Sequence, residues 1–187
     1  MGLGNPGREH EGQRHNAGFM AVEALRWAEG LPEPKAKFEG LFARGELAGH
    51  AFALLQPQTY MNRSGDSVQP AAAFLKLEPS DLVVVHDELD LPFGQVRLKV
   101  GGGHAGHNGV RSVIERLGSP GFVRVRLGVG RPSPAFQGAV ADWVLSRFDP
   151  VETAALPEVL DRAAQAVRLV VTQGIQAAMK AVSTPRL

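Results

Sequence analysis

Four apolar residues, Leu82-Val83-Val84-Val85, run without polar interruption into His86-Asp87-Glu88 and Asp90. An unbroken β-branched run reads as a strand buried on both faces, which requires helices on either side of its sheet. In open α/β sheets, ligand chemistry gathers beyond the carboxyl ends of the strands. The end that carries Asp87 is therefore the expected position of a site.

The remaining chain supplies the other layers. Phe19, Val22, Leu25 and Trp27 recur near helical spacing after Asn16, a residue suited to capping that helix. This leaves His15 on a loop before a helix start. Residues 38–56 read as a hairpin turning near Ala48-Gly49. Ser64 can cap a helix reaching about Leu77, with a kink or later start at Pro70. Residues 96–100 and 122–129 alternate as half-buried strands, the second with Arg124 and Arg126 on one face. Between them Gly101-Gly102-Gly103-His104-Ala105-Gly106-His107-Asn108-Gly109 is a glycine-rich loop feeding a helix from Val110 to Leu117. Asp149-Pro150 starts a long helix that Gly174 interrupts before a last short one. Strands alternating with helices make the fold α/β.

With 187 residues, the chain suits one domain, residues 1–187. It holds no cysteine, which removes thiolate nucleophiles, disulfides and cysteine metal sites. No apolar run approaches the ~18 residues of a membrane span, and the N-terminus has no signal-peptide pattern. A cytoplasmic protein is expected. The net charge is only +1, but residues 93–138 carry seven lysines and arginines against one acid, Glu115. A polyanion such as nucleic acid is one partner for such a stretch; a solvated face balanced by acids elsewhere is the plainer explanation.

Gly2-x-Gly4-x-x-Gly7 and Gly101-x-Gly103-x-x-Gly106 match the dinucleotide fingerprint literally. However, the first lacks a full preceding strand and the second has arginines where a ribose-binding acid belongs. The glycines read better as turns and close approaches. His86, Asp87, Glu88, Asp90, His104 and His107 could ligate metal, as in a metal-dependent phosphoesterase, although no HxH or HExxH spacing is present. A serine-hydrolase elbow is absent. What remains is a histidine base with a carboxylate partner. His15 has a suitable reference pKa, ~6.5, and Asp87 can fix its tautomer and stabilise the imidazolium. Asn5, Asn62 and Asn108 can hold a water or an oxyanion from three separate loops, though each alone reads as a turn former.

Five blocks in order carry a resemblance: Gly2-Leu3-Gly4-Asn5-Pro6-Gly7, Arg14-His15-Asn16-Ala17-Gly18, residues 57–65, His86-Asp87-Glu88-Leu89-Asp90-Leu91-Pro92, and residues 101–109. Together they resemble the bacterial-type peptidyl-tRNA hydrolases over nearly the whole chain. The resemblance implies one domain with a mixed, largely parallel twisted sheet flanked by helices on both faces. It also implies hydrolysis of the ester joining a peptide to the 3′ end of tRNA. Carried over by position, His15 is the base, Asp87 its partner, and Asn5 the residue that favours N-blocked substrates. His10, Tyr60, Met61, Asn62, His107 and Asn108 fall at substrate positions, with Tyr60 suited to stacking on a terminal base. Lys99 and Arg126 fall where cations hold the tRNA 5′ phosphate. No metal, cofactor, membrane or obligatory protein partner is implied, and a monomer is expected. A binding module that holds RNA without catalysis stays open as the alternative, with the metal phosphoesterase behind it.

The sequence departs from the family pattern in two places. Several apolar residues usually precede the first glycine, whereas Met1 alone does so here, implying a shortened strand or a true start upstream. His10 stands where a tyrosine is common, offering less stacking area.

Overall fold

The structure is a computed structural model and describes residues 1–183. The last four residues of the expected 1–187 domain lie outside that range. In chain order the elements are α1 (Ala17–Ala28), β1 (Lys35–Lys37), β2 (Gly40–Leu47), β3 (His50–Pro57), α2 (Ser64–Leu75), β4 (Val83–Glu88), β5 (Val96–Val100), α3 (Asn108–Leu117), β6 (Val123–Gly128), α4 (Val140–Val144) and α5 (Pro150–Ser183). Short 3₁₀ turns at Arg8–His10, Arg14–Asn16, Met61–Arg63 and Pro79–Asp81 complete the set.

The strands form two ladders, β1-β2-β3 and β4-β6-β5, joined by the first residues of the chain. The Gly2 amide donates to the Leu55 carbonyl of β3 at 3.1 Å, and the Leu3 amide to the Val85 carbonyl of β4 at 3.0 Å. Met1 returns a bond by accepting from the Val85 amide at 2.8 Å. The sheet is mixed, as expected, but antiparallel rather than parallel pairing predominates. Parallel pairing holds at the centre, where β4 meets β6 and Gly2 meets Val85. It gives way to antiparallel pairing at β5 and through β1–β3.

The apolar run in β4 is unbroken because its two faces enter two cores. Val85 packs with Ala17, Ala21, Val22 and Leu25 of α1 and with Ala163 and Val167 of α5. Val84 packs on the other side with Val68 and Ala71 of α2 and with Val110 and Val113 of α3. β6 repeats the split: Val125 and Leu127 enter the first core, and Arg124 and Arg126 point the other way. The register sets Lys99 opposite Arg124 and Arg97 opposite Arg126, so these four cations share one sheet face.

The stub Met1–Leu3 is deeply enclosed. The Met1 amine donates to the Val83 carbonyl at 2.7 Å, and burial pushes its pKa down to about 5. An apolar cavity of about 470 Å³ lies beside it, lined in part by Val22, Phe52, Leu75, Val83 and Val171.

Several local expectations change. His15 is buried in the Arg14–Asn16 turn rather than carried on an open loop. Asn16 occupies the position before α1, but its side chain binds the Asn5 backbone instead of capping the helix. The Ser64 hydroxyl donates to the Met61 carbonyl, also without capping. Pro70 sits inside α2 without ending it, and the helix stops at Lys76 in the left-handed region. The long helix breaks at Gly174 as anticipated (φ 80°, ψ 166°) and then resumes. Neither β1 nor α4 is anticipated; a three-residue strand and a five-residue helix are too short to set up a hydrophobic period.

Gly18 lets α1 close onto the sheet. A Cβ at that position would lie 2.4 Å from the Val85 carbonyl oxygen and 2.5 Å from that of Leu3. Both obstacles are backbone, so the helix start itself would have to move. Gly18→Ala should therefore cost about 1–3 kcal/mol in denaturant unfolding and lower Tm by several degrees. An unchanged unfolding midpoint would show that the helix start shifts freely.

Candidate active site

Strand alternation at the end of β4 separates two neighbouring side chains. Asp87 follows Val85 toward the α1 side, where the Arg14–Asn16 turn brings in His15. His86 follows Val84 toward the α3 side, where the glycine loop brings in His107. At the strand end both imidazoles reach the Asp87 carboxylate. His15 Nδ1 lies 2.9 Å from Oδ1 and 3.0 Å from Oδ2, and His107 Nε2 lies 2.9 Å from Oδ1. The carboxylate is 2% exposed and His15 9%.

These contacts fix proton positions. A carboxylate accepts, so His15 donates from Nδ1; its Nε2 has no partner among the described residues, and the side chain lines an open cleft. Burial would raise the Asp87 pKa, but the charges and hydrogen bonds of His15 and His107 hold it well below the usual carboxylate range. For His15, burial lowers the pKa, but the charge and hydrogen bond of Asp87 outweigh it, so the net shift is upward. His86 takes no part in this pair. Burial, with His107 nearby, lowers its pKa to about 3, and its Nδ1 donates to the Asp87 carbonyl at 2.6 Å.

Asn5 is held from two directions. Asn16 accepts from its amide and donates to its carbonyl, each at 2.9 Å. The Asn5 side-chain oxygen accepts from the Met61 amide at 2.8 Å, leaving the NH₂ end for the cleft. Met61 is buried, and Asn62 and Asn108 are exposed on the rim. The carboxamides of Asn62 and Asn108 carry no hydrogen bond to described residues. Tyr60 stands 62% exposed at the edge. His10 is half-buried, its Nδ1 against the Gln13 side-chain oxygen at 2.9 Å.

The cleft measures about 730 Å³, and nine expected site residues line it: Asn5, His10, His15, Tyr60, Met61, Asn62, Asp87, His107 and Asn108. Lys99 and Arg126 do not. Lys99 lies against Gly102 in the glycine loop, and Arg126 pairs with Glu88 at 3.6 Å. The basic stretch is also less free than its count suggests. Arg116 pairs with Asp66, Arg131 with Asp90, and Arg124 is 3% exposed, spending its guanidinium on the Gly102 and Gly103 carbonyls at 2.6 Å each. Arg97, Lys99 and Arg111 have no acidic partner among the described residues. Arg111 lines the cleft.

Sequence reasoning missed three contributors. Arg14 is buried beside His15, paired with Glu152 of α5 at 2.7 Å and stacked on Trp143 at 3.8 Å. Arg124 latches the glycine loop, in which Gly101, Gly102, Ala105 and Gly106 all adopt positive φ. Val140, Val144 and Leu145 form an apolar wall facing the histidines. An arginine next to a candidate base was the one available signal; the other two depend on tertiary packing.

Of the six candidate metal ligands, only Asp87 and His107 come together, and the other four are engaged elsewhere. Asp90 and Glu88 pair with arginines, His104 Nδ1 accepts from the Gly106 amide, and His86 binds backbone. Among the described residues the group that could hold an ion is His15, Asp87 and His107, with ligand atoms within 4.8 Å of one another. Its nitrogens sit at hydrogen-bond distance from one shared oxygen, so an ion there would have to displace both protons. No described helix is long and apolar enough to cross a membrane.

Comparison with known proteins places this geometry. The family profile described as Peptidyl-tRNA hydrolase matches residues 1–187. The peptidyl-tRNA hydrolase of Sorangium cellulosum is 58% identical over 98% of this chain and 82% of its own length. That of Geotalea uraniireducens is 48% identical over 96% of this chain and 92% of its own. The crystal structure of the Acinetobacter baumannii peptidyl-tRNA hydrolase superposes with a TM-score of 0.91 at 40% identity, covering 99% of this chain and 93% of that one. The chain therefore belongs to the peptidyl-tRNA hydrolase family.

Proposed function

We propose that His15 is the general base of an ester hydrolysis in which water is the nucleophile. The chain hydrolyses peptidyl-tRNA, as its family and relatives indicate. The observation that carries the mechanism is the His15 imidazole, donating from Nδ1 to a buried Asp87 while Nε2 opens on the cleft. Nε2 takes a proton from water as the water oxygen attacks the ester carbonyl. Asp87 stabilises the imidazolium that forms. The carboxamides of Asn5, Asn62 and Asn108 orient the water and the developing oxyanion without adding charge beside the base. When the carbon–oxygen bond breaks, the imidazolium proton passes to the departing ribose oxygen, releasing peptide and tRNA.

Asn5 presents its NH₂ end to the acyl part of the substrate, where it favours an N-blocked amino group. Tyr60 and His10 offer flat surfaces at the entrance for the terminal base, and Met61 and the wall of α4 supply apolar contact. Lys99 and Arg126 hold the 5′ phosphate from the basic face of β5 and β6. One domain spanning residues 1–187 performs this in the cytoplasm as a monomer, without cofactor or obligatory protein partner.

Release of N-acetyl amino acid from N-acetyl-aminoacyl-tRNA tests the assignment. His15→Ala should lose about 10²–10⁴-fold in kcat/KM, and EDTA should leave the wild type unchanged. Loss of wild-type activity to EDTA would favour the metal phosphoesterase reading, to which the His15, Asp87 and His107 cluster lends an observation. No wild-type activity with tRNA still bound would favour a binding module.

The pH profile supplies a second test. His15 acts without a proton on Nε2, so the rate should rise with pH through its pKa, which lies above the ordinary 6.5 because of Asp87. Asp87→Asn removes the charge that lifts it. The acid limb should move to lower pH while the plateau falls by about 10²–10⁴-fold. An acid limb that stays in place would detach Asp87 from the base.

Arg126→Ala should weaken full-length tRNA binding and reduce the slope of log K against log salt by about 1. A short N-acetyl-aminoacyl ester should be cleaved as before. Equal loss on both substrates would remove Arg126 from the phosphate clamp.

A further inference from the structure

We propose that His107 is a positioning residue for Asp87, locked in one tautomer by the N-terminus of α3, rather than a substrate contact. This rests on His15 being the base. His107 occupies the cap position of α3, and its Nδ1 accepts from the Gly109 amide at 3.1 Å and the Val110 amide at 3.2 Å. A nitrogen that accepts two N–H groups carries a lone pair, not a proton. The proton is therefore on Nε2, which donates to Asp87 Oδ1 at 2.9 Å. Rotating the ring or moving its proton would leave two helix-end amides unsatisfied beside a buried carboxylate.

Two further contacts hold the ring. His86 packs edge-on against it, with centroids 4.8 Å apart, and His15 lies tilted at 4.9 Å. Gly109, the next residue but one, allows α3 to approach: a Cβ there would meet Met61 Sδ at 2.4 Å and His107 Cε1 at 3.2 Å. The imidazole is thus enclosed by Asp87, two histidines and its own helix. Its polar atoms are both spent within the protein, leaving none to recognise substrate.

The consequence is a carboxylate clamped from two sides. Oδ1 receives N–H groups from both His15 and His107, while Oδ2 receives only His15. The second donor fixes the plane of the carboxylate, and with it the direction in which His15 Nε2 points. It also draws charge from the oxygen that stabilises the imidazolium. The other titratable groups of the cleft, His10, Tyr60, Glu88, His104, Arg111 and Arg131, make no hydrogen bond or ion pair with Asp87.

Two substitutions divide the two ends of the ring. His107→Asn keeps an oxygen near the Nδ1 position, one of the best helix caps, but cannot reach Asp87. His107→Gln places an amide donor near the Nε2 position and gives up the cap. On N-acetyl-aminoacyl-tRNA, His107→Asn should lower kcat by about 10–100-fold with KM little changed. Its acid limb should move to higher pH, since Asp87 then acts on His15 alone. His107→Gln should recover much of kcat and return the limb toward wild type. A His107→Asn enzyme with unchanged kcat and limb, or with its loss confined to KM, would overturn the proposal; so would His107→Gln faring worse than His107→Asn. His15→Ala measured alongside separates the two assignments: full activity there sinks the base reading itself, whatever the His107 variants do.

Discussion

The carboxylate of Asp87 is shared between two imidazoles and is almost wholly shielded from solvent, and the rest of the site is arranged around that fact. A buried carboxylate is costly unless its oxygens are hydrogen-bonded. Here every donor is a ring N–H whose own position is constrained elsewhere. His15 is fixed by the turn before α1 and His107 by the amides that begin α3. The two helix starts lie on opposite faces of the sheet, so the carboxylate ties together the two layers of the fold. Its ionised state and the raised basicity of His15 are one interaction seen from its two ends.

Close backbone approach makes this possible. The chain start lies between β3 and β4, and Gly18 brings α1 onto it at a distance no side chain would allow. The chain runs on from there to Asn5, whose backbone Asn16 grips directly beside His15. His15 and the Asn5 carboxamide are thereby set by the same pair of hydrogen bonds. Behind them, Arg14 joins the Arg14–Asn16 turn to α4 and α5 through Glu152 and Trp143. The apolar wall of the cleft and His15 thus share one anchor.

Charge in this molecule is less a surface property than its distribution in sequence suggests. Of the seven cations between residues 93 and 138, Arg116, Arg126 and Arg131 find acids contributed by other segments, and Arg124 is consumed by the glycine loop. Those without an acid among the described residues are Arg97, Lys99 and Arg111, the first two on one sheet face and the third at the cleft. The field available to a polyanion is therefore narrower than a count of residues implies.

The order of the longer elements, the buried β4, the alternation in β5 and β6, the break at Gly174 and the association of His15 with Asp87 could all be read from the chain. Each is carried by local period or by residue chemistry. Periodicity reports which face is buried, and a histidine and a carboxylate outside the apolar pattern stand out against it. The family resemblance added Asn5, Asn62 and Asn108, which no local rule separates from turn formers. Only the tertiary structure decided how polar atoms are partitioned. Asn16 serves Asn5 rather than its helix, Arg124 serves a loop rather than a ligand, and His107 serves Asp87 and α3 together. A side chain's type fixes what it can donate or accept, but its partner is whichever group the packed backbone brings within about 3 Å. For these residues that group lies anywhere from 2 to 22 positions away in sequence, and no local pattern singles it out.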